Sequence, residues 1–187
     1  ADLNIRLGEN SAARVNAMLT QADNGGDRID KQGLAVAAGW GIGTRHEFQA
    51  SLYHLDNNNG IHYGLPYLTP TTGSAERRLL DVPAGNVYAA ASDYNRGGAD
   101  LATLTHIHRI GPGSELKTTL RSGRFDRDLR ASAIRFAAAN LQPDGKAVTG
   151  DTISAATVLT RGDNVKIQYL ETLTLQSYYS GKSSALG

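Results

Sequence analysis

The stretch GLAVAAGWGIGTRHEFQASLY, residues 33–53, contains two runs of alternating residues separated by a turn. In each run the apolar side chains occupy every second position: Leu34, Val36, Ala38, Trp40 and Ile42 in the first, then Phe48, Ala50 and Leu52 in the second. Alternation with a period of two indicates a β-strand with one apolar face. Gly43-Thr44-Arg45 between the runs supplies the backbone freedom of a tight turn. The stretch therefore predicts two paired antiparallel strands.

The same alternation recurs on both sides of this pair. Three further runs, over residues 3–7, 13–19 and 165–175, carry an apolar side chain at nearly every second position, although Glu171 interrupts the last one. Two weaker strands are predicted over 101–109 and 116–121, which gives about seven strands in all. The sequence therefore predicts an all-β chain folded as an antiparallel meander.

Composition excludes several other classes of protein. The 187 residues include no cysteine, and 19 Lys and Arg against 18 Asp and Glu leave a net charge of +1. A disulfide framework and a thiolate metal site are excluded, and the basic footprint of a nucleic-acid-binding domain is missing. The longest near-apolar run, Gly33–Gly43, is too short for a transmembrane helix. The sequence has no Gly-rich phosphate loop, His-Glu-x-x-His motif or nucleophile elbow, so no enzymatic activity is predicted.

Tight turns and long connections alternate along the chain. Short turns are predicted at four places: Gly8-Glu9-Asn10, Gly43-Thr44-Arg45, Gly111-Pro112-Gly113-Ser114 and Ser180-Gly181-Lys182. Long polar connections are predicted over 21–32, 55–99 and 124–163. This alternation puts all long connections at one end of the meander. A large transmembrane β-barrel with short periplasmic turns and long extracellular loops has that layout.

The two faces of the predicted strands also fit a membrane barrel. Trp40, Phe48, Tyr178 and Tyr179 lie near short turns, where such a barrel carries an aromatic girdle. The face opposite the apolar one is rich in Asn, Thr, Gln, Arg, Gly and Ala, which fits a hydrated or plugged lumen. A soluble barrel would instead pack large side chains inside.

Closure of the barrel is not expected within this chain. A spanning strand needs about 9–11 residues, whereas the first run offers about seven and a last fragment at 184–187 only four. We therefore expect residues 1–187 to be one part of a larger barrel, cut within a strand at each end. Two alternatives remain open: a complete small eight-stranded outer-membrane barrel with a structural or adhesive role, and a soluble secreted β-sandwich that binds a ligand.

Several short elements occur in an order that resembles one family. Residues 60–67 read GIHYGLPY, and they are followed by NVY at 86–88, SDY at 92–94 and RSGRFDRD at 121–128. Together with the strand pair over 33–57, this series resembles the barrel of TonB-dependent siderophore receptors, especially their catecholate-type branch. The resemblance runs over nearly the whole chain.

The resemblance implies a transport receptor in the outer membrane of a Gram-negative bacterium. Members of the family close a barrel of about 22 strands around a plug domain, and the TonB complex energises them through that plug. The implied ligand is a ferric siderophore, whose iron arrives already chelated, so no cofactor and no protein metal site are expected. Outer-membrane lipid and lipopolysaccharide are implied as surroundings, and nucleic acid is not a partner.

The resemblance also points to candidate ligand-binding residues. Ferric siderophores of this class are bulky and often anionic, so they need cationic donors and flat aromatic surfaces. The predicted 55–99 connection carries half of the chain's eight Tyr, together with several Arg. The candidates are Tyr63, Tyr67, Arg77, Arg78, Tyr88 and Tyr94. The alternative is that these Tyr side chains pack the loop onto itself or onto neighbouring loops.

Three other groups have weaker functional interpretations. His106 and His108 share one face of a strand, but no third ligand is identifiable in the sequence, so no metal site is predicted. Four Arg between positions 121 and 130 are predicted to surround the base of the last long loop, mostly as solvated ion pairs. Residues 129–140 predict a short helix within that loop.

Overall fold

The computed structural model describes residues 1–25, 27–61, 64–83 and 85–181. Seven strands form one antiparallel sheet in the order β1-β2-β3-β4-β7-β8-β9, and β5 pairs with β6 in a separate small sheet. The strands are β1 (Asp2–Gly8), β2 (Ser11–Asn24), β3 (Asp27–Trp40), β4 (His46–Asn59), β5 (Tyr67–Leu68), β6 (Arg78–Leu79), β7 (Tyr94–Gly111), β8 (Ser114–Phe136) and β9 (Leu159–Gly181). The predicted all-β antiparallel meander is confirmed. The fragment 184–187 lies outside the described residues.

The two ends of the large sheet differ in their connections. We term the end with residues 9–10, 41–45 and 112–113 the turn end, and the end with the long connections 60–93 and 137–158 the loop end. Three of the predicted short turns are confirmed, and the fourth includes Lys182, which is not among the described residues. Gly41 and Gly43 have φ angles of 63° and 78°, a region in which other residues are strained.

Several predicted loop segments are strand instead. Residues 21–32 form no long connection, because β2 runs to Asn24 and β3 begins at Asp27. The connections predicted over 55–99 and 124–163 shrink to 60–93 and 137–158. The helix predicted over 129–140 is wrong, because β8 continues to Phe136 and only the 3-10 turn Ala139–Leu141 follows. The polar parts of these segments, such as Gln21–Asn24 and Asn57–Asn59, stay in the sheet because backbone pairing does not require apolar side chains.

The register of the seven strands defines two faces, because directly paired residues lie on the same side of a sheet. What we term the apolar face includes the row Leu3, Val15, Val36, Leu52, Ala102, Ser122 and Leu173. The polar face includes the next row, Asn4, Arg14, Ala37, Ser51, Thr103, Arg121 and Thr174. The apolar face is uncovered, with Leu52 65% and Leu173 76% exposed. The predicted alternation is confirmed, and within the described ranges no second large sheet covers this face as in a sandwich.

Toward the loop end the apolar face becomes charged. His54 Nδ1 lies 2.7 Å from Asp100 Oδ1, and Arg124 Nη2 donates to Glu171 Oε1 at 3.0 Å. The Tyr169 hydroxyl donates to the same carboxylate. Glu171 lies in this charged row, and the apolar positions of β9 continue beyond it with Ile167 and Val165. The four Arg between 121 and 130 lie along β8, alternately on its two faces, and not around the base of a loop.

Aromatic side chains mark the turn end of the apolar face. Trp40 and Phe48 pair across β3 and β4, with ring centroids 5.7 Å apart. Tyr179 lies on the same face, opposite Leu116. Its neighbour Tyr178 pairs with Lys117 and therefore belongs to the polar face, because adjacent residues of a strand point to opposite sides. The predicted grouping of four aromatics is wrong for Tyr178.

The buried apolar side chains lie at the loop end and not in the middle of the sheet. The buried apolar residues are Leu68, Leu129, Ala131, Ile134 and Ala137. They come from β5, from the far end of β8 and from the connection that follows it. The packed core of the chain therefore sits under the long connections. No helix in the described ranges is long and apolar enough to cross a membrane.

Glu47 stabilises the turn end of the sheet. Its side chain lies on the polar face, close to the turn at residues 41–45. It is 5% exposed, and its carboxylate accepts hydrogen bonds from the Gly43 N–H (3.0 Å), Arg109 Nη2 (2.9 Å) and Gln49 Nε2 (2.7 Å). The pKa of Glu47 is lowered, chiefly by the Gly43 amide, because these donors stabilise the ionised form. Arg109 also donates to the Thr44 carbonyl at 2.6 Å, so the pair ties the turn to β7.

We expect Glu47→Ala to destabilise the fold by about 1.5–3 kcal/mol, the usual value of a hydrogen bond to a charged group. The measurement is thermal unfolding of the purified protein, followed by circular dichroism at pH 7. Because the pKa is lowered on folding, the contribution of Glu47 is present above the ordinary carboxyl pKa. It is lost as the pH falls through the lowered value. Glu9→Ala, at another turn, is the control, and equal melting temperatures for the two variants would contradict the assignment.

Candidate functional site

The loop end is held together by buried polar side chains, and Asp93 is the first of them. Asp93 is 9% exposed and stands just before β7. Its carboxylate accepts hydrogen bonds from the Ser132 backbone N–H at 2.7 Å, the Ser132 hydroxyl at 3.0 Å and the Ala90 N–H at 3.2 Å. These bonds anchor the end of connection 60–93 to the far part of β8.

Gln142 anchors the second long connection, 137–158, through hydrogen bonds to the backbone. Its Nε2 donates to the carbonyls of Ala137 (2.9 Å) and Val158 (3.0 Å), and its Oε1 accepts from the Val158 N–H at 2.9 Å. Gln142 is 7% exposed, and buried amides are satisfied in this way when they stabilise a structure. The side chain thereby closes the base of the connection, where β8 ends and β9 begins.

The two long connections also contact each other. Thr69 and Thr149 form an isolated bridge, and the Gly150 N–H donates to the Thr69 carbonyl at 3.1 Å and to the Pro70 carbonyl at 3.0 Å. A Cβ atom at Gly150 would lie 3.0 Å from both the Arg78 guanidinium and the Pro70 carbonyl oxygen. A side chain at this position would therefore push the two connections apart.

Four of the six sequence-derived candidates lie in connection 60–93 among the described residues, and Tyr63 lies outside them. Tyr67 on β5 is 61% exposed and pairs with Leu79. Arg78 on β6 pairs with Leu68 and so faces the other side of this small sheet, beside Gly150. Arg77 is exposed directly before β6. Tyr67 and Arg77 are thus available to a ligand, whereas Arg78 also contacts the second connection.

Tyr88 and Tyr94 make contacts within the protein, as the packing alternative for these side chains expects. The Tyr88 hydroxyl accepts from Asn86 Nδ2 at 3.1 Å. Tyr94 lies in β7 and not in a loop, and its hydroxyl donates to Asp128 at 3.2 Å. The Arg96 guanidinium lies 4.4 Å from the centre of the Tyr94 ring, which is a cation–π contact.

Tyr94 and Arg96 also line a recess of about 530 Å³ at the loop end. The recess lies between the beginning of β3 and residues 87–96, and Arg28 forms part of its wall. Arg28 Nη2 donates to the Asn58 carbonyl at 3.2 Å, and Arg96 Nε donates to the Asn58 side-chain oxygen at 3.0 Å. One Asn therefore holds two guanidinium groups side by side. Arg28 was missed because the candidates were drawn from the predicted 55–99 connection, whereas Arg28 lies at the beginning of β3.

Comparison with known proteins places the whole sheet in one structural group. No protein-family profile matches the sequence. The open form of the ferric-catecholate import receptor Fiu from E. coli K12 superposes with a TM-score of 0.81 and 25% identity, over 98% of this chain and 29% of that chain. The closed form of Fiu gives 0.80 and 24%, over 98% and 26%. The siderophore receptor PiuA from Acinetobacter baumannii gives 0.76 and 20%, over 98% and 25%.

These matches confirm the family resemblance at the level of the fold. Nearly all of this chain superposes on siderophore receptors, and it spans little more than a quarter of their length. The seven-stranded sheet is therefore equivalent to one segment of a siderophore-receptor barrel.

We expect Asp93→Ala to loosen connection 60–93, because the buried Ser132 N–H and hydroxyl lose their acceptor. In limited proteolysis of the natural full-length protein, cleavage within 60–93 should become about tenfold faster, which corresponds to about 1.4 kcal/mol of local opening. The matched control is Asp81→Ala, which alters an exposed carboxylate of the same connection. Equal cleavage rates for both variants would show that Asp93 does not anchor the connection.

Proposed function

We propose that this chain forms part of the wall of an outer-membrane barrel that imports ferric siderophores. The observation that carries the proposal is the superposition of 98% of the chain on the ferric-catecholate receptor Fiu, with a TM-score of 0.81. Such a receptor performs transport and not an enzymatic reaction. The iron enters as chelated cargo, so uptake requires no cofactor.

The two faces of the sheet support a position in a membrane. A lipid-facing barrel wall carries an apolar band about 25 Å tall with aromatic residues at its borders and a polar interior. The apolar face offers that band, bordered at the turn end by Trp40 and Phe48, and the polar face would line the lumen. In this orientation the turn end faces the periplasm and the loop end faces the outside of a Gram-negative cell.

The charged border of the apolar face supports a contact with lipopolysaccharide. The ion pairs His54–Asp100 and Arg124–Glu171 stand where the apolar rows end toward the loop end. Lipid head groups carry phosphate groups, which Arg124 is able to bind, and sugar hydroxyl groups, which are able to donate to Asp100 and Glu171. The side chains are more than half exposed and so open to such partners.

The edges of the sheet support a larger barrel. Within the described residues, β1 and β9 each pair with a single neighbour, and an unpaired edge is costly inside a bilayer. We propose that residues 1–187 belong to a TonB-dependent barrel of about 22 strands, whose further strands pair with β1 and β9. A plug domain inside that barrel would provide the contact with the TonB complex.

The loop end supports binding of a ferric siderophore, and the relatives suggest a catecholate. A ferric tris-catecholate is anionic and presents flat aromatic rings, so it pairs with guanidinium groups and stacks on Tyr. Tyr67, Arg77 and Arg78 are the described candidates with the most exposed positions. Tyr88 and Tyr94 would shape the site, since each already has a partner within the protein. Tyr63 stays a candidate.

The membrane assignment predicts that the same substitution has different effects at two neighbouring positions. Leu52→Arg puts a charge on the apolar face and should destabilise the folded barrel by about 2–4 kcal/mol near the bilayer centre. Ser51→Arg puts the same charge on the polar face and should be tolerated. The measurement is the fraction of natural full-length protein that refolds into lipid vesicles, read from heat-modifiable electrophoretic mobility. Equal folded fractions would contradict a lipid-facing position for Leu52.

The siderophore assignment predicts a loss of affinity in the double variant Arg77→Ala/Arg78→Ala. Removing two charge-assisted contacts should weaken binding of the ferric 2,3-dihydroxybenzoate complex by about tenfold or more. Quenching of intrinsic fluorescence in the natural full-length protein measures the affinity. The control Arg45→Ala/Lys117→Ala removes the same charge at the turn end.

Two outcomes of this titration would count against the proposal. Unchanged affinity in the loop-end variant removes Arg77 and Arg78 from the site. If the wild-type protein binds a ferric hydroxamate and ignores the catecholate complex, the proposed substrate class is wrong although the transport function stands.

A further inference from the structure

Three histidines converge at the turn end, far from the proposed siderophore site. His46 Nδ1 lies 3.1 Å from His106 Nε2 and 3.2 Å from His108 Nδ1. One ring nitrogen from each residue falls within 4.8 Å of the other two. The sequence identifies only His106 and His108 as a pair, and the third ring comes from the beginning of β4.

The β4–β7 register is the reason why the rings meet. His46 pairs directly with His108, and Phe48 pairs with His106 in the next row of the same face. The Phe48 ring stacks on His106 with centroids 4.4 Å apart, and the Trp40 ring stacks on Phe48. The aromatic rows of the apolar face therefore hold His106 in place before any ligand binds, and such preorganisation favours binding.

Two of the three nitrogen–nitrogen distances are close to the edge of a tetrahedral metal site. With metal–nitrogen bonds of about 2.0–2.1 Å, two ligands of a tetrahedral site lie about 3.3–3.4 Å apart. The two shortest nitrogen pairs, at 3.1 and 3.2 Å, are close to that edge. Hydrogen bonds explain the cluster less well. His46 Nδ1 has one lone pair or one proton and faces two other nitrogens, so it cannot satisfy both fully.

The charge around the cluster also permits a cation. Arg109, next to His108 in sequence, directs its guanidinium to Glu47 and to the Thr44 carbonyl. Glu47 lies one residue from His46 along β4 and therefore on the opposite, polar face. Arg45, directly before His46, is a cation whose charge acts on His108.

We propose that His46, His106 and His108 form a site for a divalent transition-metal ion, with Zn²⁺ as the expected occupant. Three imidazoles supply three ligands and leave a fourth position for water or another donor. The ion would link β4 to β7, two strands that are separated in sequence by connection 60–93. A link that closes a long loop stabilises a fold more than one that closes a short loop. The site is separate from iron uptake and does not depend on the proposed function.

The test is a Zn²⁺ titration of the natural full-length protein, purified in detergent without a histidine tag, in competition with a chromophoric chelator at pH 7.5. We expect His46→Ala to weaken the binding of one Zn²⁺ equivalent by about tenfold or more, since even loss of an outer-shell partner costs about 10–100-fold. His54→Ala is the matched control, because this histidine lies on the same strand and face and bonds to Asp100. It should leave the affinity unchanged.

Two further variants make the test decisive. Arg45→Gln should bind Zn²⁺ more tightly, because a nearby positive charge is removed. His108→Asn serves if His46→Ala does not fold, with circular dichroism as the check on folding. Co²⁺ bound to the wild-type protein should give the absorption bands of a tetrahedral site, and these bands should disappear in both histidine variants. Affinity that is equal in the wild-type protein and in a folded His46 or His108 variant would overturn the proposal.

Discussion

The nearly regular register of backbone hydrogen bonds across the seven strands is the constraint on which the rest of the structure depends. The pairing of β8 with β9 runs without a shift from Ser114 to Phe136, and the only irregularities of the large sheet lie beside two tight turns, after Arg6 and after Arg109. A slip of one residue anywhere else would exchange the two faces of a strand. The apolar face, the charged border above it and the histidine cluster at the turn end all follow from this register.

The sequence predicts the part of the ladder where the two faces differ in polarity. The alternation at Leu34–Ile42 and Phe48–Leu52 identifies a strand pair because one face is apolar and the other is polar or small. Where both faces are polar, as at Asn57–Asn59, the same backbone pairing leaves no hydrophobic pattern in the sequence. This is why polar strand residues were assigned to the three long connections. The helix was expected over 129–140 because that segment contains Ala137-Ala138-Ala139.

The candidate sites were harder to predict because they depend on contacts between distant segments. Tight turns fix the register of the strands that they join, so the pairing of Trp40 with Phe48 follows from the turn between them. No such rule relates His46 to His108, because connection 60–93 intervenes and its length does not determine a register. The bond between Asp93 and Ser132 has the same origin. The concentration of Tyr and Arg in the long connection is, in contrast, visible in the sequence itself, although Tyr94 is part of a strand.

The length of β8 and β9 has a consequence for the path of the cargo. Each strand has 23 residues, and at about 3.4 Å per residue it is about 78 Å long. With a tilt of about 40°, it rises about 60 Å along the barrel axis, whereas the lipid-facing band takes up only about 25 Å. In the proposed barrel, about 35 Å of this height therefore lies outside the lipid-facing band, and most of it extends beyond the loop-end side of the membrane. A molecule captured at the loop-end edge of the barrel would therefore still have to travel through most of this height, inside the barrel, before it reached the level of the bilayer.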